Sequence, residues 1–241
     1  MKPKPVHRYT NGVLEFDLCG RVLDRGESGT GISVFPVQHA LLAHPRADRI
    51  SVRICSEGGS LVQAERIYVA LRQHGAHVTT IADRQCASAA TVIHMSGDLR
   101  QATAGTRFLL HAPEISPASN GARWTAGEYL LVGNYLRNWS DALVDLYAAR
   151  TGQSRDVFAE EISNERHMFA PRAKSLGLIH CLEGEEAWRS GKPYWHPDVH
   201  SLISARPGIA EMRKLVTERP SMLAGKIFGH VAFSKAARQL R

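Results

Sequence analysis

Ser88, in the run Gln85-Cys86-Ala87-Ser88-Ala89-Ala90, is flanked by small residues and opens an apolar, helix-like stretch. His111 closes a strand-like run, Arg107-Phe108-Leu109-Leu110-His111, and a Gly58-Gly59 turn lies upstream. Acyl transfer at a carbonyl needs a nucleophile, a base and donors for the charge that develops on oxygen. A serine hydroxyl is a weak nucleophile at neutral pH, so it needs an imidazole within hydrogen-bond reach. The amides of Ala89 and of Gly58 or Gly59 are the candidate oxyanion donors, because glycine lets a substrate carbonyl approach the backbone closely. Each feature alone is ordinary, a helix cap, a tight turn or a surface histidine; their order along the chain gives them meaning.

The flanking pattern says how such residues would meet. Residues 13–22 alternate apolar and polar, as a half-buried strand does. Residues 50–55 form a second strand, ended by Ser56-Glu57-Gly58-Gly59. From Ser60 to Gly75 the apolar residues Leu61, Ala64, Ile67, Tyr68 and Leu71 recur at helical spacing. His77 to Ala82 reads as a strand, Ala87 to Met95 as a short helix, and Thr106 to His111 as another strand. Strands alternating with helices across short turns imply a parallel sheet, which places Ser88 and His111 at one rim. After a Pro/Ser/Asn/Gly-rich loop to Arg123, residues 124–150 make a long amphipathic helix. Thr151-Gly152-Gln153 ends it, Ser154 caps a further helix to Ile162, and Leu178 to Leu182 is a last strand.

Composition narrows the classes. The chain is 44% hydrophobic and 22% charged over 241 residues, as in a globular protein, and holds no 18-residue apolar run. No membrane span and no secretory signal are expected. Cys19, Cys55, Cys86 and Cys181 form no C-x-x-C pair and read as buried or partly buried thiols of a reducing compartment. The twelve histidines, including the pairs His74/His77 and His196/His200, contain no H-E-x-x-H pattern, so no metal or cofactor is expected. Gly29 and Gly31 stand in a turn-rich loop without a phosphate-binding frame. The net charge of +7 is concentrated in residues 206–241, which hold eight Lys/Arg against two acids. A nucleic-acid partner would have to use that segment and is not expected.

In order, these motifs resemble the proteolytic subunit of the Clp protease family, with its Clp/crotonase fold. The family's Ser-Pro-Gly-Gly turn stands here as Ser56-Glu57-Gly58-Gly59, its small-Ser-small nucleophile motif as Ala87-Ser88-Ala89, and its histidine-x-proline as His111-Ala112-Pro113. Its Ala-Gly…Arg stretch is similar to Ser96-Gly97-Asp98-Leu99-Arg100, two residues shorter. Thr151-Gly152-Gln153 and Ala170-Pro171-Arg172-Ala173, followed by Gly177-Leu178, complete the match. The resemblance covers roughly residues 12–184, with 1–11 as an N-terminal tail and 185–241 as a basic extension. It implies an α/β superhelix of ββα units with a mostly parallel sheet, flanking helices and a handle helix at 124–150.

The resemblance further implies a serine endopeptidase acting on unfolded peptides in a cytoplasmic homo-oligomeric ring, with an AAA+ ATPase as a possible partner. The family's catalytic aspartate falls on Glu165, followed by Arg166 as in the family, so the implied triad is Ser88, His111 and Glu165. Glutamate is one methylene longer, and its backbone must sit farther back. Asn164 could also orient the imidazole, Asp83 is a further acid near the site, and an ion pair of Glu165 with Arg166 or Arg172 is the structural alternative. Cys86 is expected to point away into packing. A catalytically silent scaffold or regulatory subunit is the alternative function. A crotonase-like acyl-CoA enzyme has no use for the Ser88/His111 pair, and a Ser/Lys dyad would have only Lys174 between residues 56 and 180.

Overall fold

The computed structural model describes residues 7–24, 29–115 and 124–185. The basic extension beyond 185 and the loop 116–123 lie outside these. The strands are β1 (His7–Thr10), β2 (Val13–Cys19), β3 (Arg49–Ser56), β4 (His77–Ala87), β5 (Leu99–Ala102), β6 (Arg107–Leu109), β7 (His167–Phe169) and β8 (Cys181–Leu182). The helices are α1 (Val34–Ala43), α2 (Leu61–Gln73), α3 (Ala89–His94), α4 (Ala126–Thr151), α5 (Arg155–Asn164) and α6 (Ala170–Ser175). They make an α/β fold around one mixed, mostly parallel sheet.

The sheet runs β1-β2-β3-β4-β5-β8, with β6 joined to β4 and β7 joined to β6. All pairings are parallel except β1 with β2 and β6 with β7. Alternation in the sequence becomes alternation in burial: Leu14, Phe16 and Leu18 of β2 face the core, as do Ile50, Val52 and Ile54 of β3. Helix α2 starts at Ser60, whose hydroxyl accepts the Gln63 amide, and buries Leu61, Ala64, Ile67, Tyr68 and Leu71. Each such large side chain contributes roughly 1.5–3 kcal/mol of burial.

Three elements escape a periodicity reading. The strand β1 lies in the segment read as a tail, and its four-residue antiparallel pairing with β2 depends on the Asn11-Gly12 turn, where both residues have positive φ. Helix α1 falls in a stretch whose apolar residues have no strong single face. Strand β4 runs to Ala87, five residues beyond the expected end, because it has two successive partners: Thr79–Ala82 pair with β5 and Gln85–Ala87 with β6. The transition is an irregularity against β3 between Ile54↔Ala82 and Ser56↔Cys86, and Arg84 within it has φ +60°. Beyond this bulge the strand is re-aimed toward β6, and Ser88 follows directly after its last residue, Ala87.

Helix α4 opens with a capping box, Thr125 and Glu128 satisfying each other's backbone amides, and closes at Gly152 in the left-handed conformation. From Tyr135 onward it buries Tyr135, Trp139, Leu143, Leu146 and Tyr147, while Tyr129 and Leu130 near its start are exposed. Its end is held by two buried arginines. Arg100 donates to the carbonyls of Gly97, Leu178, Arg150 and Gly177, and Arg150 to those of Met95 and Gly97. Burial foremost, and then the charge of Arg150, pushes the Arg100 guanidinium down to about 9. Among the described residues no helix is long and apolar enough to cross a membrane.

Candidate active site

Ser88 sits between β4 and α3 with φ +54° and ψ −130°. That conformation costs a non-glycine residue on the order of 1–3 kcal/mol, so the surroundings must hold it. They do so from both sides. The Ser88 amide donates to the Leu109 carbonyl at 2.8 Å, and the Ser88 carbonyl accepts the Thr91 amide at 2.9 Å and the Thr91 hydroxyl at 2.6 Å. The Thr91 hydroxyl also meets the buried Tyr147 hydroxyl at 2.7 Å, which ties the turn to α4. The side chain is left to project at the rim of the sheet.

The parallel pairing of β4 with β6 ends at Ala87↔Leu109, so His111 emerges beside Ser88. Its Nε2 lies 2.7 Å from Ser88 Oγ, and the residue is only 7% exposed. With a proton on Nδ1, Nε2 is the acceptor for the serine hydroxyl, which is the arrangement a general base needs. The antiparallel register of β6 and β7, Arg107↔Phe169, Phe108↔Met168 and Leu109↔His167, places Glu165 opposite His111 when continued two residues. Glu165 occupies the C-cap of α5 with φ +48°, and its carboxylate lies within 4.8 Å of a His111 ring nitrogen.

A second carboxylate reaches the same place. Glu114, three residues past His111, has its Oε1 3.8 Å from His111 Nδ1. Burial raises the Glu114 carboxyl above its ordinary range; the neighbouring Glu165 pushes the same way and His111 opposes it. Glu114 was missed in the sequence, although its spacing after His111 and behind Pro113 was open to view. His111, Glu114 and Glu165 also have the donor types of a divalent-cation site. A cation there would take the Nδ1 position that the triad geometry assigns to a proton.

The glycine turn lies against Ser88. Gly58 and Gly59 have φ +100° and +133°, and a Cβ on Gly58 would stand 2.6 Å from Ser88 Cβ and 3.0 Å from the Ala89 nitrogen. The turn is pinned to the chain at Val22, whose amide donates to the Gly58 carbonyl at 2.7 Å. The Gly58 amide itself donates to Ser56 Oγ at 3.0 Å. Of the two glycine amides expected as oxyanion donors, Gly58 is therefore engaged inside the turn, and Gly59 remains with Ala89. The cleft beside Ser88 and His111 is apolar, lined by Leu61, Val92, Pro113, Leu143 and Tyr147.

The other candidates fall elsewhere. The Asn164 amide meets Glu160 at 3.5 Å, and Asp83 lies 3.7 Å from Arg53. Arg172 pairs with Glu161, so it is not the ion-pair partner imagined for Glu165. Cys86 is fully buried, as expected, and burial drives its thiol far above the ordinary range. Cys19 is instead exposed, because it ends β2 on the outward-facing side of the alternation.

A mostly parallel α/β fold carrying a serine–histidine pair at its rim places the molecule in the Clp/crotonase class. The Clp protease family model matches residues 33–184, and the chain belongs to that family. It is 30% identical over 137 residues to the ATP-dependent Clp protease proteolytic subunit of Pleurastrum terricola, covering 56% of this chain and 67% of that one. To proteolytic subunit 1 of Thermobifida fusca it is 25% identical over 187 residues, covering 73% of this chain and 82% of the relative. The solved structure of ClpP1 from Listeria monocytogenes matches with a TM-score of 0.55 at 20% identity, covering 70% of this chain and 89% of that one. A point-mutant form of the same protein gives a TM-score of 0.58 at 19% identity, and both are likenesses of fold.

Proposed function

We propose that this chain is a serine endopeptidase of Clp type, with Ser88 as nucleophile, His111 as general base and Glu165 as a carboxylate that steadies the imidazolium. The observation that carries this reading is the 2.7 Å approach of His111 Nε2 to a Ser88 whose backbone is strained yet fixed. His111 takes the hydroxyl proton as Ser88 Oγ attacks the scissile carbonyl, and the oxyanion forms facing the amides of Ala89 and Gly59. The imidazolium then gives its proton to the leaving amine. Water, activated by the same ring, hydrolyses the acyl-enzyme. The apolar cleft receives a hydrophobic side chain next to the cleaved bond.

By family likeness, the substrates are unfolded peptides and the working form is a homo-oligomeric ring; an AAA+ ATPase partner follows from the same likeness. The exposed start of α4, with Tyr129 and Leu130, fits a handle that packs between copies. The four cysteines are free thiols, which fits a reducing compartment such as the cytoplasm. In this reading the peptidase domain is residues 12–184 together with β1, which joins its sheet, and 185–241 is an appendage.

The test is active-site labelling of the full chain with a fluorophosphonate, alongside hydrolysis of an unstructured protein. Wild type is labelled and hydrolyses, and Ser88→Ala does neither. A well-folded wild type that resists labelling from pH 5 to 9 refutes the peptidase and leaves a silent scaffold.

A further inference from the structure

The described geometry leaves one polar atom of the site unanswered. His111 Nδ1 is buried and has no hydrogen-bond partner among the described residues. An imidazole that serves as base through Nε2 must hold its other nitrogen protonated, and a buried N–H without an acceptor is costly. Glu114 lies 3.8 Å from it, and the Glu165 carboxylate lies within 4.8 Å of a His111 ring nitrogen and of the Glu114 carboxylate. Closing Glu114 to hydrogen-bond length takes about 1 Å, within reach of a side-chain rotation.

Resting on the peptidase reading above, we propose that Glu114 is a positioning residue for His111, sharing with Glu165 the task of accepting the Nδ1–H and stabilising the imidazolium. The backbone favours it. Pro113, directly before Glu114, fixes its own φ and so narrows the backbone conformations between the two residues. Glu165 comes from a separate segment, the turn between α5 and β7. Each glutamate has one more rotor than an aspartate would and loses more freedom when ordered. Two of them on one N–H raise the fraction of time that the bond is made.

The two carboxylates also repel. With both ionised and the ring neutral, the cluster carries two negative charges and no positive one. Proton transfer from Ser88 supplies the missing charge, so the arrangement favours the protonated ring that forms during acylation more than the resting state. Among the described residues lining the cleft with His111, the other ionisable side chain is Tyr147, whose hydroxyl is held by Thr91, and the Ser88 hydroxyl lies at hydrogen-bond distance.

The experiment compares Glu114→Gln, Glu165→Gln and the double variant in the full chain, with kcat and KM on one fluorogenic peptide and labelling rate against pH. For Glu114→Gln we expect kcat about 10-fold lower with KM unchanged. Its acid limb should move to lower pH, because one negative charge 3.8 Å from the ring is removed. The double variant should approach the roughly 10⁴-fold loss typical of a triad without its acid. In parallel, the His111 ring is titrated by NMR in Ser88→Ala with and without Glu114→Gln, which reads the interaction even if no peptide is cleaved. Unchanged kcat, acid limb and NMR midpoint in Glu114→Gln overturn the proposal while leaving the peptidase standing if wild type is labelled. Stimulation of wild type by a chelator, absent in Glu114→Gln, overturns it in favour of a cation held by the same three groups.

Discussion

Substituting Gly58 by alanine tests how the glycine turn serves the nucleophile. The backbone there has φ +100°, a conformation that costs a residue with a Cβ on the order of 1–3 kcal/mol. The added carbon would also meet Ser88 Cβ at 2.6 Å and the Ala87 carbonyl at 2.7 Å. Neither neighbour can retreat easily, since Ser88 is bonded through its amide to Leu109 and through its carbonyl to Thr91. Strain and overlap together bring the loss to about 3 kcal/mol or more, a fall of roughly 6–12 °C in Tm for a chain of this size. The Ala89 amide would be only 3.0 Å from the new methyl, so the turn and the donor must separate. Displacing one oxyanion donor lowers kcat about 10²–10³-fold.

Gly177→Ala is the matched control for that experiment. Its φ is +76° and its Cβ would crowd Thr151 at 3.0–3.2 Å, away from the catalytic rim, so it carries a similar backbone penalty without touching Ser88. Fluorophosphonate labelling rates, measured well below both melting temperatures and normalised to folded protein, separate the two. Gly58→Ala should label at least 100-fold more slowly than Gly177→Ala. Equal rates, or a folded Gly58→Ala that labels like wild type, would refute the assignment of this turn to the site.

Other outcomes follow from the same geometry. Arg100→Met removes the donor that four buried or half-buried carbonyls share, so chemical denaturation should show a loss of about 3 kcal/mol or more; a loss under 1 would mean that the carbonyls find other partners. His94 is fully buried, and burial first, then the Arg100 charge, drives its imidazole down to about 3. Because the folded value lies below the unfolded one of about 6.5, its contribution is complete above pH 6.5 and is lost as pH falls toward 3. That amounts to about 2 kcal/mol at pH 5, so His94→Leu should flatten the stability profile between pH 7 and 5; an unaltered slope would acquit His94.

Much of the fold was legible because its signals are local. Alternation marked β2, helical spacing marked α2 and α4, and the glycine turn, Ser88 and His111 stood at element ends whose order implied a shared rim. Glu165 came only through likeness to a family. Nothing in its neighbourhood distinguishes it from a surface acid, and its position opposite His111 is created by antiparallel pairing between strands of three residues each, nearly sixty positions apart.

Sequence alone thus determined which residue types could perform acyl transfer and which elements would bear them, because apolar periodicity and turn chemistry act over a few neighbouring residues. Only the tertiary structure decided how they are used. The bulge at Arg84 re-aims β4 from β5 to β6, Ser56 occupies the Gly58 amide, and Glu114 joins Glu165 beside a single ring nitrogen. Each of these is a competition between several possible partners for one backbone or side-chain group. It is settled by distances that arise only when distant strands are held in register.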